Sequence, residues 1–215
     1  MLNFNEILSE TKIIAILRGV PSHMLTDVLD ALYAGGVRLA EITYDQTDTI
    51  PDEGTASDIG RAVIHTSGRM LIGAGTVLKP EQVTMTQAVG GKFIISPDTN
   101  PAVIEASKAA GLVSLPGAMT VTEVCTAVTA GADYVKLFPA NILGPAFVKA
   151  ILAPLRNAKL LAVGGVSPAN IPDYLAAGCV GFGIGSNIVT PALCESGRLD
   201  LITLNAKNFI EACKR

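Results

Sequence analysis

The chain is predicted to be an α/β protein: a single compact (β/α)8 TIM barrel spanning residues 1–215. Three observations support this. Helix-like segments repeatedly end in small residues plus glycine, and an apolar strand follows at once. Those strands are short and apolar on both faces, as in a parallel sheet covered by helices. Eight such strands can be counted, which favours a closed barrel over an open doubly wound sheet.

The first strand is Ile13-Ile14-Ala15-Ile16-Leu17. The stop Ala34-Gly35-Gly36 precedes the second, Arg38 to Thr43, and Gly68 precedes the third, Met70 to Ala74. Val89-Gly90-Gly91 precedes Phe93 to Ser96, and Gly111 precedes Leu112 to Leu115. Gly131 precedes the sixth strand, Tyr134-Val135-Lys136-Leu137-Phe138, and Gly178 precedes the eighth, Cys179 to Ile184. Glycine tolerates the left-handed conformation that ends a helix. The long gap between Gly131 and Gly178 holds two units, with Asn157 expected as the stop before the seventh strand, Leu160 to Val163. Leu199 to Arg215 reads as a final helix, and Asp45 to Thr55 is the most polar loop.

Composition excludes several classes. Apolar residues make up 49% of the chain, charged residues 16%, and the net charge is −3. With no basic run, nucleic acid is not expected as a partner. Met1 to Glu10 has no basic residue, so no secretory signal is expected there. The uncharged stretch from Tyr174 to Cys194 is interrupted by glycines and Pro191, so it reads as strand, loop and helix start, and no membrane partner is expected. Cys125, Cys179, Cys194 and Cys213 form no C-x-x-C pair, and four free thiols fit a reducing cytoplasm. His23 and His65 lie far apart, so no metal site is expected, and His65 reads as a surface residue. Val121, Val124, Cys125 and Val128 read as a core-packing helical stripe.

Chemistry is expected at the C-terminal ends of the strands. Lys136 is a lone lysine among apolar neighbours, on the same strand face as Tyr134 and Phe138. Desolvation favours its neutral amine, a nucleophile for carbonyl carbon. Strand two places Glu41 and Thr43 on one face, making Glu41 the candidate proton shuttle. A buried Glu41–Lys136 ion pair is the competing structural reading. Arg18, after five apolar residues, suits a substrate carboxylate, with Thr76 adding a hydroxyl; a rim salt bridge to Asp45 or Glu41 is its alternative. Gly164-Gly165 and Gly185-Ser186 end the last two strands, where backbone N–H groups can approach a phosphate. A plain helix cap is the competing reading of Ser186. Pro97, Pro116 and Phe138 end further strands and, with Thr43, complete the expected pocket.

In this order, Ile16-Leu17-Arg18-Gly19, Glu41-Ile42-Thr43, Gly73-Ala74-Gly75-Thr76, Ile95-Ser96-Pro97, Leu115-Pro116-Gly117, Lys136-Leu137-Phe138-Pro139, Gly164-Gly165-Val166-Ser167 and Gly185-Ser186 resemble the 2-keto-3-deoxy-6-phosphogluconate (KDPG) and 4-hydroxy-2-oxoglutarate (KHG) aldolases over nearly the whole chain. The resemblance implies a homotrimeric barrel and a metal-free class I aldolase with no cofactor. It implies a small 2-keto acid substrate, Lys136 as the Schiff-base residue and Glu41 as the proton shuttle. Arg18 and Thr76 would hold the pyruvyl carboxylate, and Gly164, Gly165 and Ser186 the phosphate. The gluconate substrate or 4-hydroxy-2-oxoglutarate is expected first, and the galactonate epimer is the alternative. A barrel isomerase or epimerase, and a sugar-phosphate-binding regulatory barrel, are the readings from other classes. The chain departs from the family pattern at Asp45, where many members carry arginine, at Asp98 and at Asn187.

Overall fold

A computed structural model describes residues 3–47 and 51–214, so part of the polar Asp45–Thr55 loop lies outside the described residues. Helix α1 (Phe4–Thr11) leads into β1 (Ile13–Leu17), followed by α2 (Leu25–Ala34), β2 (Leu39–Thr43), α3 (Asp52–Thr66), β3 (Leu71–Gly75) and α4 (Pro80–Ala88). Next come β4 (Phe93–Ile95), α5 (Pro101–Ala109), β5 (Val113–Leu115), β6 (Gly117–Ala118), α6 (Val121–Thr129), β7 (Val135–Leu137) and α7 (Ala140–Leu152). The chain ends with β8 (Leu160–Val163), α8 (Ile171–Ala177), β9 (Gly181–Ile184), α9 (Pro191–Glu195) and α10 (Leu199–Ala212).

All strand pairs are parallel, and the order is β5-β4-β3-β2-β1-β9-β8-β7-β6. Its two ends, β5 and β6, are joined through Pro116, so the ring is nearly closed. The fifth expected strand, Leu112 to Leu115, is β5, and β6 continues it beyond Pro116. Proline lacks an N–H for the ladder; β5 pairs with β4 and β6 with β7. Nine strands thus make an eight-unit (β/α)8 barrel.

Alternation sorts the side chains into two cores. Inside the barrel, Ile14, Leu39, Leu71, Phe93, Leu115, Tyr134 and Leu161 pack with Phe4, Ile7 and Leu8 of α1, which plugs the N-terminal end. The Phe4 ring lies 5.1 Å from Phe93 and 5.7 Å from Tyr134, and the Tyr134 hydroxyl donates to Asn5 Oδ1 at 2.7 Å. Outside, Ile13, Ala15, Ala40, Ile72, Ile94, Val135 and Phe182 meet the helices. With its bottom filled by α1, the barrel is open at the C-terminal ends of its strands.

The glycine stops hold at Gly36, Gly68, Gly90, Gly111, Gly131 and Gly178, each with positive φ. Asn157 does not act as a stop: α7 ends at Leu152 with Ala153 as cap, and Asn157 follows in a turn without positive φ. The α6 stripe also needs correction. Val124 is fully buried, but Val121 is 45% and Val128 47% exposed, and Cys125 is exposed too. Only one edge of the stripe reaches the core. His65 lies near the end of α3, half-buried, with Nε2 3.0 Å from Asp30. Among the described residues, no helix is long and apolar enough to cross a membrane.

Candidate active site

Lys136 sits at the centre of β7, between Gly117 and Leu161 of the neighbouring strands. Its backbone N–H donates to the Pro116 carbonyl at 2.8 Å. The residue is 6% exposed, and Nζ lies 5.0 Å from the Phe138 ring centroid. Burial pushes the lysine below its usual pKa; the Arg18 guanidinium pushes the same way, while Glu41 opposes both. The site therefore shifts the amine toward its neutral form.

Glu41 lies on β2, with Ile16 and Gly73 as strand neighbours, and is 1% exposed. Gly75 of β3 makes room for it, and Gly73 makes room for Phe93. A Cβ at Gly75 would fall 2.6 Å from Glu41 Cδ, and one at Gly73 would enter the Phe93 ring. Burial raises the Glu41 carboxyl to about 7, although Lys136 and Arg18 pull it down. Its Oε2 is buried without a hydrogen-bond partner. Among the described residues, no hydrogen bond or ion pair joins Glu41 to Lys136. The structural ion-pair reading is thus not realised; two electrostatically coupled groups face each other inside one barrel.

Arg18 follows β1 and is exposed at the rim, where it donates to Thr76 Oγ1 at 3.0 Å. Thr76 is 8% exposed and has φ +55°, a left-handed conformation that is costly for a β-branched residue. The surrounding bonds hold it: its carbonyl accepts from Gln46 Nε2 at 3.4 Å, and Val77 N–H reaches Ile95 O at 3.2 Å.

The two glycine loops lie side by side. Gly164 and Gly165 both have positive φ, and a side chain on Gly165 would collide with Asn141. Asn187 Nδ2 donates across to the Val166 carbonyl at 2.8 Å, and Asn170 Nδ2 to Gly165 O at 3.1 Å. Ser186 is exposed in the turn after β9. It caps no helix: α9 begins at Pro191, capped by Thr190, whose Oγ1 accepts from Leu193 N–H.

A cleft of about 710 Å3 gathers Arg18, Thr76, Pro97, Lys136, Phe138, Gly164, Gly165, Gly185 and Ser186. Glu41 is not among the residues that line it. Two expected pocket residues fall outside it. Pro116 is buried in the strand break, and Thr43 lines an adjoining cleft of about 350 Å3 with Asp45, Gln46 and Asp58. Asn170, Gln46 and the bracing contact of Asn187 join the site without having been expected from the sequence. The only local signal was Ser167-Pro168-Ala169-Asn170, where Ser167 N–H donates to Asn170 Oδ1. Among the described residues, no group of three or more metal-ligating side chains comes together.

Fold and site together define a barrel enzyme built around a buried amine and a buried carboxyl. The family model for KDPG and KHG aldolase matches residues 4–204. A Rhizobium meliloti (strain 1021) protein named "Probable 2-dehydro-3-deoxy-6-phosphogalactonate aldolase" is 40% identical over 185 residues, covering 86% of this chain and 84% of its own. The KHG/KDPG aldolase of Escherichia coli (strain K12) is 35% identical over 188 residues, covering 86% and 84%. The crystal structure of the Legionella pneumophila KDPG aldolase, with pyruvate captured at low pH as a covalent carbinolamine intermediate, superposes with a TM-score of 0.83 at 26% identity, covering 94% and 95%. The chain belongs to the KDPG and KHG aldolase family. It is an aldolase, a carbon–carbon lyase, which sets aside the isomerase and ligand-binding readings.

Proposed function

We propose a class I aldolase that cleaves a 6-phosphorylated 2-keto-3-deoxy-hexonate to pyruvate and glyceraldehyde 3-phosphate through a Schiff base on Lys136. The supporting observation is the lysine amine: buried, held toward its neutral form, and on the wall of the cleft of about 710 Å3. Neutral Lys136 adds to the C2 ketone, and loss of water gives an iminium. Glu41, directly or through water, removes the C4 hydroxyl proton. The C3–C4 bonding pair flows into the iminium, the aldehyde departs, and an enamine of pyruvate remains. Protonation at C3 and hydrolysis release pyruvate and the amine. Arg18 and Thr76 hold the carboxylate; the N–H groups around Gly164, Gly165 and Gly185, with the Ser186 hydroxyl, hold the phosphate.

The galactonate epimer is the preferred substrate in this reading, because the 40% relative carries that name and the KHG/KDPG relative stands at 35%. Comparing kcat/KM for the two epimers and for 4-hydroxy-2-oxoglutarate tests it. The galactonate epimer should lead, and a lead for 4-hydroxy-2-oxoglutarate would overturn the phosphate role.

The enzyme works as one barrel domain over residues 1–215, as a cytoplasmic homotrimer that needs no cofactor. The exposed thiol of Cys125 suits a reducing compartment. The apolar face of α6 (Val121, Val128) and neighbouring Met119, 43% exposed, supports burial against another copy. Light scattering should give three times the 22.2 kDa chain mass. Val121→Glu combined with Val128→Glu should shift it toward the monomer; an unchanged mass would exclude this face as the interface.

A further inference from the structure

Gln82, on α4, lines neither cleft, yet it is 1% exposed and makes an unusual set of bonds. Its Oε1 accepts from Leu78 N–H at 2.8 Å and Lys79 N–H at 3.2 Å. Its Nε2 donates to Asp52 Oδ1 at 3.0 Å. Its carbonyl accepts from the Tyr44 hydroxyl at 3.2 Å and the Thr86 hydroxyl at 2.7 Å. One buried residue thus joins the segment just after Thr76 to the first residue of α3 and to the loop after β2. That loop also bonds Thr76 directly, through Gln46.

Thr76 needs such support. Its φ of +55° relaxes unless neighbouring backbone fixes it, and relaxation would swing its hydroxyl away from Arg18. Half of a cap (the side chain accepting two backbone N–H groups) would suffice to start α4. The bond to Asp52 does nothing for α4 and acts only between segments. A buried amide with partners on both its oxygen and its nitrogen also has one orientation, so it sets the register between the segments it joins.

We infer that Gln82 is a positioning residue that holds Thr76 against Arg18 by tying the Thr76–Lys79 turn to Asp52. This rests on the proposed carboxylate role of Arg18 and Thr76. Gln82 touches no substrate; it fixes where the carboxylate is received. Its loss should therefore weaken the keto-acid end of the site and leave the aldehyde-phosphate end intact.

The test exploits bond polarity. The carboxylate introduced by Gln82→Glu can still accept from Leu78 and Lys79, but it meets the Asp52 carboxylate as like charge against like. Asp52→Asn supplies an N–H2 donor and restores the link in reversed polarity. Pyruvate alone reports on the carboxylate end, through deuterium exchange of its methyl protons in D2O. The KM for glyceraldehyde 3-phosphate in the aldol-addition direction reports on the other end. Gln82→Glu should raise the half-saturating pyruvate concentration about tenfold, with little change in maximal exchange rate or in the aldehyde KM. Gln82→Glu/Asp52→Asn should return it toward wild type, and Asp52→Asn alone should leave it near wild type. Wild-type half-saturation in Gln82→Glu, a rise that Asp52→Asn leaves unrestored, or an aldehyde KM that rises in step would each overturn the inference. Arg18→Ala serves as the reference. If it raises half-saturation and Gln82→Glu does not, only the positioning role falls. If Arg18→Ala has no effect, the carboxylate reading itself falls and takes the inference with it.

Discussion

Replacing Lys136 is expected to lower kcat by about four to six orders of magnitude, the scale seen when a covalent nucleophile is removed. Lys136→Met keeps the length and the apolar stem and removes the amine. Lys136→Arg is the sharper variant. It keeps a cation at the same place, but a guanidinium does not give up its proton in the working pH range. If Lys136 acted only through its charge, Lys136→Arg would keep substantial activity; if it acts as a nucleophile, both variants fail alike. The buried position, with Nζ 5.0 Å from the Phe138 ring, argues for the second outcome. Steady-state cleavage assays on the two variants decide it.

Glu41→Gln is expected to lower kcat by about 10² to 10⁴, the usual contribution of a general base. The pH profile should change with it. Burial raises the Glu41 carboxyl from 4.5 to about 7, so its basic form accumulates only as pH rises through that value. Activity should climb through an acid limb near pH 7, and Glu41→Gln should lose that limb. Stability should run the other way. Between pH 4.5 and about 7 the folded protein holds a proton that the unfolded chain has released, so stability falls as pH rises across this window. The displacement corresponds to about 3 kcal/mol. Glu41→Gln should therefore be more stable than wild type at pH 8, by up to that amount, and gain nothing at pH 4. Urea unfolding at the two pH values reads this directly. An equal effect at both would mean that Glu41 carries no desolvation cost. Site residues held at the expense of stability are common in enzymes.

Much of this was legible in the sequence because the signals were local. A glycine after a helix leaves few conformations open, so Gly36, Gly90 and Gly131 marked their strands correctly. The two-residue period put Glu41 and Lys136 on inward faces once the strands were placed, while Phe138 falls just past β7 and is 40% exposed at the cleft. Other features depended on parts of the chain far apart. The break at Pro116 arises because β4 and β7 need partners at different heights along one strand. The α6 stripe has helical spacing, but spacing alone does not say which edge meets the core, and Val121 and Val128 face outward. Asn157 has the chemistry of a helix stop, but α7 ends before reaching it. Gln82 and Asp52, thirty positions apart in sequence, meet only after α3 and α4 pack side by side. Thr76 read simply as a hydroxyl, and its left-handed backbone has no signature in residue type.

Catalysis through Lys136 requires a covalent imine between pyruvate and that one lysine. Borohydride reduction of the wild-type enzyme with pyruvate in excess, followed by intact mass and peptide mapping, tests it most directly. One stable pyruvyl adduct per chain is expected, on the peptide carrying Lys136, and none in Lys136→Met. Folded, active enzyme that gives no adduct, or gives one on another lysine, would contradict it.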